Sequence, residues 1–377
     1  MFASATFPAG TIWLVTTVAH VLAALDKIAP LAKAAGWDPV GLQLGDPAAD
    51  VGRLGVCHEV TADVVVEAIA ADLDLLITYH PLLFRQTRRL IAGRTAEGRA
   101  FDLVAGGVAL GVVHTAFDVA PGGTADALAA ALDLREVRGL GPAWGVESVK
   151  FVVYVPEVAA DAVAAAMFEA GAGVIGNYTA CSFRAAGTGT FLGGEGSAPV
   201  VGETGVASIV EEVRLEIVCP ARLRDRVTAA LVQAHPYEEP AFDVYDRTGN
   251  TGMIGRTGSL DSPTSLADFA DRCSRVLGVG PRVAGDRNTT IGTVAVVPGS
   301  GADFVEDAAA VADVLVTGDL SHHRARQALD MGLAVIDAGH APTERPGVRA
   351  LYAAVSQIAP GVVDLTDIDP NPWKDDT

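Results

Sequence analysis

Short hydrophobic runs alternate with amphipathic segments through the first third of the chain. Leu54–His58, Leu73–Thr78 and Val108–Val113 are apolar runs with the length of a β-strand. The apolar positions of Val18–Ala34 and Ala62–Ala71 recur with the spacing of an amphipathic helix. Strands and helices in alternation predict an open α/β sheet that is covered by helices.

The last third of the chain repeats this pattern. Strands are predicted at Thr293–Val297, Val314–Thr317 and Ala334–Asp337, with helices at Asp303–Val311 and His322–Met331 between them. We therefore expect residues 16–140 and 252–370 to form one layered, discontinuous domain.

The middle of the chain predicts a separate α+β insert at residues 146–248. Val149–Tyr154 and Arg214–Val218 are strand candidates, and Ala159–Ala170 is a helix candidate. A β-α-β unit of about a hundred residues is compatible with a small ferredoxin-like sandwich. The glycine-rich segments Arg138–Gly145 and Arg247–Gly258 are predicted to be the hinges at its borders.

Composition narrows the possible classes of protein. A length of 377 residues favours two packed units over one. A formal net charge of -19 argues against nucleic-acid binding, and no Lys/Arg cluster stands out beyond Arg85, Arg88 and Arg89. No apolar run is long enough to cross a bilayer, and Thr11–Val18 lacks the basic flank of a signal peptide. The four cysteines show no C-x-x-C spacing, so we expect a reduced, cytoplasmic protein without membrane contact.

Polar side chains follow three of the predicted strands. Tyr79 and His80 come after Leu73–Thr78, His114 and Asp118 follow the next strand, and His340 and Glu344 follow the last one. Ligands bind at the carboxyl ends of strands in open α/β sheets. Histidine with carboxylate suits a divalent transition metal, and a glutamate can bridge two ions. A single histidine here is more often structural, but three equivalent clusters favour a functional site.

The beginning of the helix that ends at Ile358 also bears on this site. Thr343 and Glu344 are expected just ahead of that helix, with Pro346 in its first turn.

Three other motifs are ambiguous. Gly171–Gly176 fits G-x-G-x-x-G but follows a helix, which argues against a nucleotide fold of the Rossmann type. Val297–Gly301 links a strand to a helix and is either an anion-docking loop or a tight turn. His235, Glu238 and Glu239 form either a metal cluster or, more commonly, a solvated turn.

Several segments, in their order along the chain, resemble the Nif-three-like dinuclear-metal family, the homologues of GTP cyclohydrolase I type 2. The similarity spans about residues 16 to 370, and its middle part resembles the PII-like or CutA-like insert of longer family members. The first fifteen residues have no counterpart in the family. The matching motifs are Trp37–Gly45 (WDPVGLQLG), Ile77–Leu82 (ITYHPL), His114–Asp118 (HTAFD), Thr317–Asp319 (TGD) and Gly339–Glu344 (GHAPTE), and in the insert Gly173–Tyr178 (GVIGNY), Cys181–Phe183 (CSF), Gly187–Phe191 (GTGTF) and His235–Pro240 (HPYEEP).

The resemblance implies two divalent metal ions, of zinc, iron, manganese or cobalt. His80 and Asp118 would hold one ion, His340 would help to hold the second, and Glu344 would bridge them. Tyr79 departs from the commonest family pattern, which has a second metal-binding histidine there. A phenol is a poorer ligand than an imidazole, so the second site is expected to be weak, tyrosine-ligated or empty.

The implied function is hydrolysis of a purine nucleotide or a similar small molecule by metal-activated water. His114 and His323 are candidate proton shuttles, although His323 equally fits a hydrogen bond at the end of its helix. One alternative is a non-catalytic regulator that senses a small effector through the insert, and a weaker one is metal storage or delivery. The resemblance also implies a homo-oligomer, typically a hexamer.

Overall fold

The structure is a computed structural model, and it describes residues 16–373. Within this range the chain divides into two compact units, one of residues 16–143 with 252–373 and one of residues 144–251. No helix in this range is long and apolar enough to cross a membrane. The first fifteen residues, including most of Thr11–Val18, lie outside the described range.

The first unit begins with a five-stranded sheet. The elements of residues 16–131 are β1 (Thr16–Thr17), α1 (Val18–Leu25), β2 (Gly41–Leu44), β3 (Asp50–Val51), β4 (Leu54–Cys57), α2 (Ala62–Ala70), β5 (Leu75–Thr78), α3 (Ala96–Ala105), β6 (Ala109–Val112), α4 (His114–Asp118) and α5 (Thr124–Ala131). The fifth strand of the sheet, β15 (Val363–Asp364), comes from the end of the described chain. The strands lie in the order β15-β4-β5-β6-β2, and all neighbours are parallel except β2, which runs antiparallel to β6.

The second unit has antiparallel strands covered by two helices. β9 pairs with β7 on one side and with β8 on the other. Apolar residues of α6 and α7 pack on this sheet, with Met167 and Leu231 buried in the core. Its elements are β7 (Arg135–Pro156), α6 (Ala160–Glu169), β8 (Phe183–Leu192), β9 (Ala207–Pro220), α7 (Arg224–Ala234) and β10 (Phe242–Ser265), of which β7 and β10 extend into the first unit.

The remainder of the first unit supplies a second set of parallel strands. β12, β13 and β14 are parallel neighbours, and β10 and β11 run antiparallel at their two sides. The elements are α8 (Leu266–Leu277), β11 (Arg282–Ala284), β12 (Thr290–Ser300), α9 (Val305–Ala309), β13 (Val314–Gly318), α10 (His322–Asp330), β14 (Ala334–Asp337), α11 (His340–Ile358) and β15 (Val363–Asp364). The predicted α/β fold with an α+β insert is confirmed.

Helices cover both faces of the five-stranded sheet. Along β5, Leu75 and Ile77 pack in the core that contains Leu351 of α11, whereas Leu76 packs on the opposite face with Val64 of α2. Successive side chains of a strand point to opposite faces, so a strand with two covered faces is apolar throughout. This explains why β4, β5 and β6 are buried at every position.

Two helix boundaries differ from the sequence prediction. α1 ends at Leu25 and not at Ala34, because Pro30 has no N–H to donate to the carbonyl group of Asp26 and its ring would clash with that group in a continued helix. α11 begins at His340, so Glu344 lies inside the helix and not ahead of it. Gly339, with a φ of 83°, permits the sharp entry into that helix.

The two glycine-rich segments predicted as hinges do contain the borders of the units, after residues 143 and 251. They are not turns, however, since residues 138–145 lie within β7 and residues 247–258 lie within β10. At Gly255 an added Cβ would lie 2.8 Å from the carbonyl oxygen of Val296 on the neighbouring strand. Glycine therefore permits close approach of two strands at this position and does not form a turn.

Replacing Gly347 by alanine tests the packing of α11. An added Cβ would lie 2.5 Å from the Cα of Thr124 on α5. We expect the free energy of unfolding to fall, because overpacking costs about 1–3 kcal/mol and a backbone contact this short falls at the upper end. The gain in helix propensity of about 1 kcal/mol offsets only part of this cost. Denaturant unfolding measures the change.

Ala353→Ser is the matched control, since Ala353 is exposed on the same helix and its replacement should change stability little. Equal stability of the Gly347→Ala protein and the wild type would contradict the close contact between α11 and α5.

Candidate metal centre

The candidate site lies at the carboxyl ends of β4, β5 and β6. Cys57 pairs with Thr78, and Thr78 pairs with Val112, so the three strands end side by side. Backbone hydrogen bonds continue beyond the strands, from the N–H of His80 to His58 and from the N–H of His114 to Tyr79. The parallel register therefore places His58, Tyr79, His80 and His114 along one edge of the sheet.

α11 brings two further side chains to this edge. His340 and Glu344 are four residues apart on one helical face, and Nε2 of His340 lies 3.1 Å from Oε1 of Glu344. The end of β12 packs against the same carboxylate, since a Cβ at Gly299 would lie 2.4 Å from Oε1.

Gly299 lies in the segment Val297–Gly301, for which the sequence left either an anion-docking loop or a tight turn. In the structure residues 297–300 are the end of β12, where the pairing with β13 shifts register. Gly299 donates its N–H to Thr343 and Gly301 donates its N–H to Thr317, so both donors are already engaged within the protein.

Glu344 is the centre of a cluster of imidazoles. Its Oε2 lies 2.8 Å from Nε2 of His58, and its Oε1 lies 3.4 Å from Nε2 of His80. Glu344 and His58 are only 3% and 2% exposed. One ligand atom from each of these three residues lies within 4.8 Å of the others. Among residues 16–373, this is the group of three or more His, Cys, Asp or Glu with a spacing that suits a metal ion.

The charges in the cluster reinforce one another. Burial alone would raise the pKa of Glu344, but His80 and the hydrogen bonds from His340 and His58 outweigh it and hold the pKa well below its ordinary value. Burial by itself would lower the pKa of His80 and of His340. The nearby Glu344 carboxylate outweighs this effect and raises the pKa of His80 to about 10 and that of His340 to about 8. The site thus holds an ionised carboxylate in a buried setting.

Tyr79 and Asp118 form a separate pair beside this cluster. The phenol donates a hydrogen bond of 2.7 Å to Oδ1 of Asp118. Burial, and then the nearby Asp118 carboxylate, raises the pKa of Tyr79 well above its ordinary value, and burial raises the pKa of Asp118. A neutral phenol is therefore a hydrogen-bond donor to Asp118, which does not belong to the three-residue group.

Carboxylates orient two of the predicted histidines. Nδ1 of His114 lies 2.9 Å from Asp38, and Nδ1 of His340 lies 2.7 Å from Asp319. The ring centre of His114 lies 5.3 Å from that of His80, next to the cluster. Hydrogen bonds of this kind fix the tautomer and orientation of an imidazole next to a metal or a substrate.

His323 is not in this group. It lies in the first turn of α10, as expected, but its side chain is exposed and its ring contact is with His322, 5.4 Å away. Its part as a proton shuttle stays a prediction.

Sequence reasoning missed His58. The residue directly follows β4, in the same relation to its strand as Tyr79 has to β5. The other candidates were selected because they are polar residues that directly follow a predicted strand. His58 would have met this criterion if the strand had been predicted to end at Cys57 and not at His58. Glu59 follows it directly in the sequence, but this carboxylate lies 3.8 Å from Nδ1 of His80. The carboxylate that His58 contacts is that of Glu344, which only the fold brings there.

The fold and the cluster define an α/β protein with a candidate metal centre at a sheet edge. The model of the Duf34/NIF3 (NGG1p interacting factor 3) family matches residues 16–372. The chain belongs to this family, and the resemblance inferred from the sequence motifs is confirmed.

Its relatives match over nearly their whole length. A Bacillus subtilis protein named GTP cyclohydrolase 1 type 2 homolog is 36% identical over 362 residues, which cover 94% of this chain and 97% of the relative. The Mycobacterium tuberculosis protein of the same name is 40% identical over 338 residues, with coverages of 87% and 88%. The crystal structure of a Bacillus cereus protein related to NIF3 is 34% identical, covers 96% of this chain and 100% of that chain, and superimposes with a TM-score of 0.63.

Replacing Tyr79 by phenylalanine tests the Tyr79–Asp118 pair. The variant leaves a buried carboxyl group without its donor, which should lower the free energy of unfolding by about 1–3 kcal/mol. Urea denaturation gives the difference. Tyr178→Phe is the control, because Tyr178 is largely exposed and should tolerate the change. If both variants unfold like the wild type, the hydrogen bond to Asp118 contributes nothing.

Proposed function

We propose that the protein is a divalent-metal-dependent hydrolase that acts on a purine nucleotide or a similar small molecule. The observation that carries this proposal is the buried His58–His80–Glu344 group at the carboxyl edge of the sheet. Ligand sites in open α/β folds lie at this edge. The name of the relatives, GTP cyclohydrolase 1 type 2 homolog, supports a purine nucleotide as the substrate class.

The residues fit a metal ion. Two imidazoles and one carboxylate form the ligand set of several catalytic zinc sites, and they also suit iron, manganese or cobalt. The ionised Glu344 would balance much of the charge of a dication. A bound ion supplies Lewis acidity, which polarises a substrate oxygen and makes water a stronger nucleophile near neutral pH.

We propose that a second ion, if it binds, binds more weakly. His340 offers one more imidazole beside Oε1 of Glu344, and Asp319 orients it. Asp118 is engaged by the phenol of Tyr79, so an ion would have to displace that hydrogen bond to use the same oxygen. An ion that used this oxygen would therefore compete with an existing, partly buried hydrogen bond.

His114 is the proposed proton-transfer residue. Asp38 holds its Nδ1, which fixes the ring, and the ring lies next to His80 at the edge of the cluster. An imidazole that is oriented by a carboxylate can accept a proton from water and pass it to a leaving group.

Removing single ligands tests this function. His58→Ala and Glu344→Gln should each reduce the metal content per chain and abolish hydrolysis across a panel of purine nucleotides, because each removes one of the three candidate ligand atoms. Elemental analysis and product release are the measurements. His322→Ala, on the exposed start of α10, is the control and should retain both. Undiminished hydrolysis by the Glu344→Gln protein would eliminate the proposed centre.

A regulatory function is the second candidate. It is favoured by a cavity of about 430 Å³ in the unit of residues 144–251, which is large enough for a small effector. The lining includes Tyr154, Phe191, Glu212, Tyr237 and Glu238. In this case the metal would serve mainly as a structural clamp. The predicted small-molecule partner and the homo-oligomer, a hexamer in particular, belong to both proposals.

Chelation separates the two candidates. Since a ligand that binds only the folded state at 100 times its dissociation constant adds about 2.7 kcal/mol, removing the metal should lower the melting temperature in either case. A hydrolase also loses turnover, and re-addition of the ion restores it. A regulator has no turnover to lose, and its affinity for an effector should survive chelation.

A further inference from the structure

Two large aromatic side chains are exposed next to the candidate metal centre. Trp37 is 63% exposed and Phe84 is 54% exposed. Their ring centres lie 5.9 Å apart at an angle of 58°, so neither ring covers the other. Trp37 also contacts His114 edge-on, with ring centres 6.1 Å apart. The rings of Phe84, Trp37, His114 and His80 thus form a continuous series from the protein surface to the metal ligands.

The backbone beneath both rings is anchored. Asp38, which follows Trp37, accepts hydrogen bonds from the N–H of Thr115 and pairs with His114. Leu83, which precedes Phe84, donates its N–H to Oε1 of Gln43 and accepts from Nε2 of the same side chain. The exposed rings are therefore held on fixed supports, and a ligand that binds them loses little conformational entropy of the protein.

The segment after Phe84 is the most basic part of an acidic chain. Between His80 and Glu97 there are four arginines, Arg85, Arg88, Arg89 and Arg94, and no Asp or Glu, although the whole chain carries a formal charge of -19. All four are exposed, and within residues 16–373 none of them forms an ion pair. Arg88 and Arg89 line a cavity of about 500 Å³. Unpaired guanidinium groups are suited to phosphate oxygens.

From this juxtaposition we infer that the site binds a phosphorylated planar heterocycle, with its ring stacked on Trp37 and Phe84 and its phosphates at the arginines of residues 85–94. The inference rests on the proposed function and deepens it, since it assigns the residues that recognise a nucleotide. Aromatic rings accept any base by stacking, so Trp37 selects for a planar ring and not for one particular base. The arginines favour a ligand with phosphate groups, and the metal ligands determine where that ligand is held.

Equilibrium binding of GTP, guanosine and inorganic triphosphate to the metal-loaded protein tests the inference. GTP should bind more tightly than either of the other two, because only GTP uses both surfaces. Trp37→Ala should weaken GTP binding by about 5- to 150-fold, the usual effect of removing one stacking ring, and should leave triphosphate binding unchanged. Trp37→Phe keeps a ring and should recover most of the affinity.

Variants of the arginines should show the opposite pattern of affinities. Arg88→Ala combined with Arg89→Ala should weaken GTP and triphosphate alike and leave guanosine unaffected. Phe183→Ala removes an aromatic side chain that is exposed to a similar degree, 63%, on β8 and serves as the control. Metal content should be equal in all these proteins, which shows that the cluster is intact.

The outcomes separate this inference from the proposed function. Equal GTP affinity of the Trp37→Ala protein and the wild type, or no measurable GTP binding by the wild type, overturns the stacking surface. Equal GTP affinity of the Trp37→Ala protein would not contradict metal-dependent hydrolysis. Conversely, GTP binding that depends on Trp37 without any hydrolysis would support the stacking surface and overturn the hydrolase.

Discussion

The buried carboxylate of Glu344 is the interaction on which the candidate site depends. It is reached by three imidazoles from three different parts of the chain, through distances of 2.8 to 3.4 Å. An ionised carboxylate in the protein interior is costly unless it is paired, so the histidines and Glu344 stabilise one another's charged forms. A divalent cation would use the same converging groups, with Glu344 ionised and the imidazoles neutral, so its binding would release the protons that the histidines carry.

The packing of α11 sets the position of that carboxylate. Gly347 allows the helix to approach α5, and Gly299 leaves room for Oε1 of Glu344. A Cβ at Gly318 would lie 2.4 Å from the carbonyl carbon of Gly339, directly before His340. Three glycines therefore determine how closely α11 approaches α5, the end of β12 and β13. The distances within the site depend on these contacts.

Tyr79 divides the site into two parts with different properties. Its hydroxyl group is bound to Asp118, whereas His58, His80 and Glu344 converge on one point. The resemblance to the family identified Tyr79 as a departure, and the structure shows an additional imidazole, His58, directly after the adjacent strand β4. The outer face of the site continues through His114 to Trp37, which links the buried metal ligands with an exposed aromatic surface.

The sequence by itself determined the α/β class, the approximate strands and the positions of His80, His340 and Glu344 near strand ends, because apolar periodicity and strand-end chemistry are local properties. It did not show that His58 joins them or that Asp118 is bound to Tyr79. It also placed turns at residues 138–145 and 247–258, where strand pairing prevails over the local preference of glycine. Only the tertiary structure decided these points, since the parallel register and the packing of α11 bring together residues as far apart as His58 and Glu344.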